Sequence, residues 1–211
     1  MSQAPAVFVT GTDTEAGKSI ASAWLVRQLQ ADYWKPIQSG LEEQTDSQKV
    51  AHLAGLSPGQ VLPERFRLQR PMSPHISAEL EGVSIGLDDF QLPQTTAPLV
   101  VEGAGGVLVP LNGRDLMIDL MVQLDLPVIV TARTGLGTIN HTLLTLEALR
   151  SRGLTVLGLI LSGAAYPSNH DAVVHYGQAP LIAHIPLLDP LTPEALAQVA
   201  PLNAEPLKAL R

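Results

Sequence analysis

Apolar residues occur in short continuous runs that alternate with segments of helical periodicity. The first run covers residues 6–10 and is followed by a glycine turn and then by apolar positions at helical spacing within 17–30. Similar runs recur at 97–102, 127–132, 155–161 and 180–185. Runs that are apolar on both faces are typical of strands inside a parallel sheet that helices cover. The pattern therefore predicts an α/β fold.

Helices are predicted between these strands, each close to a turn signal or a possible N-cap residue. They cover residues 46–54, 116–124 and 140–152. Segment 57–92 shows only a weak helical signal at 76–80, and the C-terminal part predicts a short helix at 193–199 followed by loose chain. No internal repeat or long linker divides the chain. Residues 1–211 are therefore interpreted as one domain with a mostly parallel sheet flanked by helices.

The carboxyl ends of the predicted strands are the expected place for a ligand. Right-handed crossovers bring these ends to one edge of a parallel sheet, and open α/β sheets bind ligands at that edge. Polar residues that would not contribute to the hydrophobic core follow three of the predicted strands. These strands are at 6–10, 97–102 and 127–132. These three connections are therefore the candidate sites for ligand binding.

The first connection has the composition of a phosphate-binding loop. It runs Gly-Thr-Asp-Thr-Glu-Ala-Gly-Lys-Ser over residues 11–19, one residue longer than the usual motif. In such a loop, backbone N–H groups and the helix N-terminus hold phosphates, Lys18 reaches the β and γ oxygens, and the Ser19 hydroxyl ligates Mg²⁺. A polar glycine turn is the alternative. Gly-Lys-Ser at the start of a helix, directly after a buried strand, favours nucleotide binding.

Four more residues are candidates for the same edge. A second strand predicted over 33–37 would deliver Lys35 and Ser39 beside the phosphate loop, with Lys35 near the γ-phosphate; a solvated strand-end lysine is the alternative. Glu102 ends a buried strand before a glycine turn, where an acid can hold Mg²⁺, although it could be a solvated turn residue. Asp46 opens a helix, either as its N-cap or as a second Mg²⁺ carboxylate.

The third connection offers another place for an anion. It opens a predicted helix, so the amides of Thr138, Ile139 and Asn140 form a second helix N-terminus suited to negative charge. Simple capping by Thr138 or Asn140 is the alternative. The six histidines of the chain show no metal-ligand spacing.

Composition narrows the classes of partner. Thirteen Lys plus Arg against twenty Asp plus Glu give a net charge of −7, which disfavours a general basic surface for nucleic acid or anionic lipid. The lack of cysteine excludes disulfides, a thiolate nucleophile and cysteine-ligated zinc. The apolar run at 4–9 is too short for a signal peptide or a membrane span. We therefore expect a cytoplasmic protein that binds neither nucleic acid nor membrane.

Several motifs together resemble the dethiobiotin synthetase family. They are FVTGTDTEAGKS at 8–19, WKPIQSG at 34–40, PHISA at 74–78, EGAGG at 102–106 and LGTINH at 136–141. A phosphate loop alone occurs in many enzymes. Far more specific for this family is the ordered combination of GTDTE before GKS, KPxxSG and EGAGG. The resemblance covers most of the chain.

The resemblance implies a P-loop NTPase-like ligase of biotin biosynthesis. Such an enzyme closes a ureido ring on 7,8-diaminononanoate with CO₂ or bicarbonate and Mg²⁺·ATP, and releases dethiobiotin, ADP and phosphate. In that family an amine first forms a carbamate, the γ-phosphoryl group moves to it, and the second amine attacks the mixed anhydride. Two lysines and Mg²⁺ suit this chemistry, because phosphoryl transfer depends on positioning and charge neutralisation.

Matching the motifs implies roles for single residues. Lys35 holds the carbamate, Lys18 holds the phosphates and Ser39 positions the substrate. The Mg²⁺ ligands are Ser19, Asp46 and Glu102. The nucleotide-binding residues are Thr14, Glu15, Ala16, Gly17, Lys18, Ser19, Ile20, Asp46, Glu102, Gly103, Ala104, Gly105, Pro186, Leu187 and Leu188.

The resemblance also implies a homodimer whose substrate carboxylate is held partly by the neighbouring subunit, through the amides of Thr138, Ile139 and Asn140. One departure concerns the nucleotide base. Many members carry an Asn-Asp pair after the penultimate strand, where this chain has Ser162-Gly163. The departure predicts relaxed base selectivity.

Two other classes of protein carry a similar phosphate loop, and the sequence disfavours both. A P-loop switch ATPase of the partitioning and cell-division type would carry its second lysine before the phosphate loop, but residues 3–10 contain none. An amidotransferase-type synthetase domain is usually attached to a glutaminase domain with a catalytic cysteine, and this chain of 211 residues has no cysteine.

Overall fold

The computed structural model describes residues 4–210 and arranges them as strands that alternate with helices. The strands are β1 (Ala6–Gly11), β2 (Asp32–Trp34), β3 (Ile37–Ser39), β4 (Val61–Leu62), β5 (Phe66–Leu68), β6 (Leu99–Gly106), β7 (Val128–Arg133), β8 (Val156–Ser162) and β9 (Leu181–Ile185). The helices are α1 (Lys18–Leu29), α2 (Asp46–Ala54), α3 (Pro74–Leu80), α4 (Met117–Leu124), α5 (Thr138–Ser151), α6 (Pro167–Gly177) and α7 (Pro193–Ala197). Short 3₁₀ turns follow at Leu87–Asp89 and Glu205–Leu210.

Seven strands form one sheet in the order β4-β2-β6-β1-β7-β8-β9. Neighbouring strands in it run parallel, which confirms the predicted α/β fold with a parallel sheet flanked by helices. The remaining two strands, β3 and β5, pair with each other in a separate parallel ribbon. Because β1 lies at the centre, the loop after it faces the middle of the ligand-binding edge.

Each face of the sheet contributes to its own hydrophobic core. Phe8 and Val101 pack on one face, whereas Val7 and Val100 pack on the other against Trp24 of α1. This division follows from the alternation of side chains along a strand. Strands buried on both faces lack polar alternation, which is why their continuous apolar runs were recognisable in the sequence.

The predicted elements match the structure best where local signals are strong. Helix α2 has the predicted bounds because Thr45 and Gln48 form a capping box at its start. The strand predicted over 33–37 is wrong: β2 ends at Trp34, and the chain after Pro36 joins the separate ribbon with β5. Proline has no N–H group to continue the strand pairing.

Two further differences concern β6 and α6. The strand predicted to end at Glu102 continues through the glycines to Gly106, where it pairs with the end of β1. Helix α6 was not predicted, because Val173 and Gly177 are its only buried residues and give no apolar periodicity. Over residues 4–210, the structure has no helix long and apolar enough to cross a bilayer.

Candidate active site

The phosphate loop, residues 11–19, connects β1 to α1 at the carboxyl edge of the sheet. Gly17 precedes α1 with a φ of +85°, and a Cβ atom added there would lie 2.8 Å from Ser162 Oγ. A side chain would therefore be strained and would collide with the end of β8. Within residues 4–210, no side chain caps the N-terminus of α1, so its first amides have no side-chain acceptor there. The loop has the form that suits a bound phosphate.

Lys18 lies folded against this loop. Its Nζ donates to the carbonyl oxygens of Asp13 at 2.9 Å and Thr14 at 3.3 Å. Burial lowers the pKa of Lys18 to about 8, and the charge of Lys35 acts in the same direction. A bound anion would stabilise the protonated form of Lys18, because an opposite charge nearby favours the charged state.

The second lysine lies between two carboxylates. Lys35 Nζ is 2.7 Å from Asp46 Oδ2 and 2.9 Å from Glu102 Oε1, and it donates to the carbonyl oxygen of Gly103 at 3.0 Å. The Ser19 hydroxyl lies 2.7 Å from Asp46 Oδ1 and 3.0 Å from Glu102 Oε1. Lys35 and Glu102 are buried, with 2% and 0% of their surface exposed. The site is thus a compact cluster of charged groups and one hydroxyl.

The sheet register explains how Lys35 and Glu102 meet. Tyr33 of β2 lies opposite Val100 of β6, and both pack on the face that α1 covers. Lys35 and Glu102 come two residues after this pair, so the alternation of side chains places them on the same face. Strand β2 ends before Lys35, but the short extended continuation still delivers the lysine to Glu102.

The second carboxylate comes from the start of α2. Asp46 is its first residue, and the Asp46 N–H donates to Gln38 Oε1 at 3.1 Å. Gln38 Nε2 in turn donates to the carbonyl oxygen of Ser39 at 3.0 Å. The ribbon strand β3 therefore fixes the position of Asp46 relative to the cavity.

The charges of the cluster stabilise one another. Burial alone would lower the pKa of Lys35, but Glu102 and Asp46 together raise it above its usual value. Burial would raise the pKa of Asp46, but the nearby ammonium of Lys35 has the larger effect. The pKa of Asp46 is therefore below its usual value. Lysine and aspartate are therefore both charged at neutral pH.

Three oxygen-bearing side chains converge where a divalent cation would bind. They are Ser19, Asp46 and Glu102, and the Ser19 hydroxyl lies within 3.0 Å of one oxygen of each carboxylate. Hydroxyl and carboxylate oxygens are the donors that Mg²⁺ prefers, with places left for water and phosphate. Residues 4–210 contain no group of three or more His, Cys, Asp or Glu placed to hold a metal ion. Two carboxylates and one hydroxyl leave ligand positions open, so these residues fit a cation that the nucleotide also ligates.

A cavity of about 620 Å³ contains this cluster and most of the predicted site residues. Those that line it are Thr14, Glu15, Gly17, Lys18, Ser19, Ile20, Lys35, Ser39, Asp46, Glu102, Ala104 and Gly105. A volume of this size is typical of small-molecule sites. The structure therefore brings phosphate loop, lysines and carboxylates together in one cavity.

Other predicted residues lie outside the lining of that cavity. Ala16 and Gly103 are buried beside it, and Pro186, Leu187 and Leu188 follow β9. Thr138, Ile139 and Asn140 begin α5 next to a small separate pocket of about 70 Å³, of which Thr138 forms part. The Thr138 N–H donates to the carbonyl oxygen of Gly135 at 3.1 Å.

The cavity also includes residues that the sequence did not suggest. They are Ile37, Lys49, Pro71, Met72, Ser73, Pro74 and Val109. Lys49 follows Asp46 by almost one helical turn, a spacing that could have placed both on the same helix face. Residues 71–73 belong to the segment without clear periodicity, so no local signal indicated their approach, whereas Pro74 begins the PHISA motif but was not assigned to the site. Tyr33, which donates to Glu102 Oε2 at 2.9 Å, was also not predicted as a site residue.

A central parallel strand, a phosphate loop, a following helix and converging acidic residues define a P-loop NTPase. Solved structures agree on the fold. The ParA family ATPase from Chlorobium tepidum TLS aligns with a TM-score of 0.56 at 11% identity, covering 93% of this chain and 92% of that chain. The cell division ATPase MinD from Pyrococcus furiosus aligns with a TM-score of 0.53 at 13% identity, covering 98% and 99%. At such identities the likeness concerns the fold alone.

Sequence comparison gives the family. A family model described as an AAA domain matches residues 5–195. The ATP-dependent dethiobiotin synthetase BioD of Brucella ovis is 52% identical over 190 residues, 90% of each chain. The enzyme of the same name from Rhodopseudomonas palustris is 50% identical over 187 residues, 89% of this chain and 90% of the relative. The chain belongs to the dethiobiotin synthetase family, which confirms the resemblance of its motifs.

Proposed function

We propose that this chain catalyses the ATP-dependent closure of a ureido ring on 7,8-diaminononanoate with CO₂, forming dethiobiotin, ADP and phosphate. One observation carries the proposal within this family: Lys35 and the phosphate-loop lysine Lys18 line the same cavity, beside two carboxylates. The reaction makes this enzyme a ligase of biotin biosynthesis. The alternative function, a partitioning or cell-division switch ATPase, is supported only by similarity of fold.

The lysines have separate tasks in the proposed reaction. Nucleotide phosphates lie on the loop amides, and Lys18 contacts the β and γ oxygens. One substrate amine attacks CO₂ to form a carbamate, whose oxygen attacks the γ-phosphorus while ADP leaves. The second amine then attacks the carbamoyl carbon, and phosphate leaves as the ring closes. Lys35 neutralises charge on the carbamate and on the transferred phosphoryl group.

Ser19, Asp46 and Glu102 would hold Mg²⁺ in this proposal, and their converging oxygens support it. The ion would neutralise charge on the β- and γ-phosphate oxygens. Ser39 is proposed to position the substrate, since its hydroxyl is buried at the cavity without a hydrogen-bond partner in the described chain. A substrate amine or carbamate oxygen would supply that partner.

Growth of a bacterium that lacks its own dethiobiotin synthetase tests the function directly. Expression of this chain should restore growth in medium without biotin. The empty vector should support growth only when dethiobiotin is added. Failure of the expressed, soluble chain to restore growth, while added dethiobiotin does so, would count against the proposed reaction.

A homodimer is also proposed, with the substrate carboxylate bound partly by the second subunit. Leu108 and Leu144 are 58% and 56% exposed and line an apolar groove of about 410 Å³ next to the phosphate loop. Leu136, just before α5, is fully exposed, and no side chain caps α5. A second copy on this surface would cover these leucines and bring its Ile139 and Asn140 amides near the substrate.

The dimer proposal predicts a sedimentation mass near twice that of the 22.4 kDa chain. Leu144→Glu should shift the mass toward the monomer and weaken substrate binding, because a charge would enter the covered apolar surface. Nucleotide binding should remain. A wild-type chain that is monomeric and binds substrate fully would contradict the shared site.

For an enzyme of this biosynthetic reaction we also propose a cytoplasmic location.

Base selectivity is expected to be relaxed because of the connection after β8. Gly163 has a φ of +130°, and a Cβ atom there would lie 2.6 Å from Thr134 Oγ1. An acidic side chain, as many family members carry, does not fit at Gly163 in this backbone conformation. The Ser162 hydroxyl is held against Gly17 and is too short to replace an amide that reads the purine edge.

We therefore expect ATP, GTP and CTP to support turnover with kcat/KM values within about tenfold of one another, the effect of about one hydrogen bond. Steady-state phosphate release with each nucleotide measures this. A preference for ATP of two orders of magnitude or more would show that other groups read the base.

A further inference from the structure

We propose that Tyr33 is a positioning residue that holds one carboxylate oxygen of Glu102. Only the other oxygen is then available to a metal ion, and this favours Mg²⁺ over Ca²⁺. This inference rests on the metal site of the proposed function and names a residue that would determine which cation the site prefers. It concerns a side chain that lies outside the cavity lining and outside every motif of the sequence.

The contact between these two residues is fully enclosed. Tyr33 and Glu102 are both 0% exposed, and the Tyr33 hydroxyl donates to Glu102 Oε2 at 2.9 Å. The other oxygen, Oε1, is the one that approaches Ser19 and Lys35, at 3.0 and 2.9 Å. The two oxygens of Glu102 therefore have different partners: one faces the tyrosine and the other faces the site.

The sheet makes this orientation rigid. Tyr33 lies opposite Val100 in the pairing of β2 with β6, and Glu102 is the next residue of β6 on the same face. A diagonal neighbour at this spacing is within reach of an aromatic side chain. Tyr33 also belongs to the same buried core cluster as Val50 and Leu53 of α2, so its ring is enclosed by apolar side chains.

A fixed hydroxyl on Oε2 has a chemical consequence for cation binding. A carboxylate with one oxygen already bound presents a single ligand atom, which suits the octahedral shell of Mg²⁺. Ca²⁺ accepts more ligands in a flexible shell and commonly takes both oxygens of a carboxylate. Without the hydroxyl, Oε2 would be buried and unpaired, and Glu102 would gain by turning both oxygens toward a cation.

Tyr33→Phe tests this with binding measurements that need no turnover. Titration calorimetry would compare the affinity for ADP in EDTA, for ADP with Mg²⁺ and for ADP with Ca²⁺. We expect the metal-free affinity to stay within about twofold, the Mg²⁺-dependent affinity to fall about tenfold, and the ratio of Ca²⁺ to Mg²⁺ affinity to rise. Tyr176→Phe is the matched control, since Tyr176 is 68% exposed on α6 and should change none of these values.

Equal changes under all three conditions, or no change in the ratio, would overturn the positioning role. If Tyr33→Phe does not fold, the wild-type protein can be labelled with ¹³C at the ring carbon that carries the hydroxyl. The chain has three tyrosines, so Tyr166→Phe and Tyr176→Phe identify the Tyr33 resonance. It should shift between ADP and Mg²⁺·ADP, and an unchanged resonance would overturn the inference.

The two proposals fail in different ways. A wild-type chain that forms no dethiobiotin, yet shows the expected change in metal selectivity for Tyr33→Phe, would keep the positioning role and remove the function. Dethiobiotin formation together with an unchanged selectivity would remove only the positioning role.

Discussion

Lys18→Ala is expected to abolish nucleotide-dependent turnover, with a loss on the order of 10³-fold or more. Lys18 is buried in the phosphate loop, and in the proposed reaction its charge contacts the β and γ phosphates. Its contacts in the structure are loop carbonyls, so its removal should leave the fold intact. Phosphate release at saturating substrate, with ATP affinity measured separately, gives the result.

The matched control is Lys208→Ala, which removes a lysine that is exposed and pairs with Glu205 at the surface. It should retain full turnover, because exposed ion pairs contribute little. ATP-dependent turnover of Lys18→Ala within tenfold of wild type would show that the loop does not act on the γ-phosphate, and the proposed role of Lys18 would be wrong.

Lys35→Ala is expected to keep nucleotide binding but to lose turnover by about 10²-fold or more, because Lys35 acts on charge that develops during phosphoryl transfer. A kcat that falls with little change in the affinity for ATP is the specific sign of this role. The variant also leaves the buried Glu102 without its ammonium partner. We therefore expect lower stability, by about 3–5 kcal/mol as for other broken buried pairs.

Turnover of Lys35→Ala must thus be measured where circular dichroism shows the protein to be folded. Wild-type turnover under these conditions would remove Lys35 from the catalytic groups. Loss of ATP binding in the folded variant would instead assign Lys35 to nucleotide binding. Lys49→Ala is a useful comparison, since Lys49 lines the same cavity but forms no ion pair with the two carboxylates.

Much of the fold could be predicted because its signals are local. Strands β1, β6, β7, β8 and β9 of the main sheet contain continuous apolar runs, and the capping box that begins α2 is visible in four consecutive residues. The same local reasoning joined Tyr33 to Ile37 in one strand, because it could not foresee that β3 pairs with β5 instead of the main sheet. Helix α6 was not predicted because Val173 and Gly177 are its only buried residues, which gives no apolar periodicity.

For the candidate site, too, the residues with local signals could be predicted and those placed by tertiary contacts could not. The phosphate loop follows one predicted strand and Glu102 ends another, so topology alone brings them to one edge. The contact of Tyr33 with Glu102 joins residues 69 positions apart and depends on the register of β2 against β6. Residues such as Met72 and Val109 reach the cavity from loops, and their approach depends on tertiary packing that no periodicity encodes.

The central claim is the reaction itself, and mass spectrometry of the product tests it most directly. Purified protein would be incubated with 7,8-diaminononanoate, bicarbonate, Mg²⁺ and ATP while phosphate release is followed in parallel. We predict dethiobiotin in amounts equal to the phosphate released. Phosphate release without the cyclic urea would contradict the proposed reaction and would show that this phosphate loop serves another substrate.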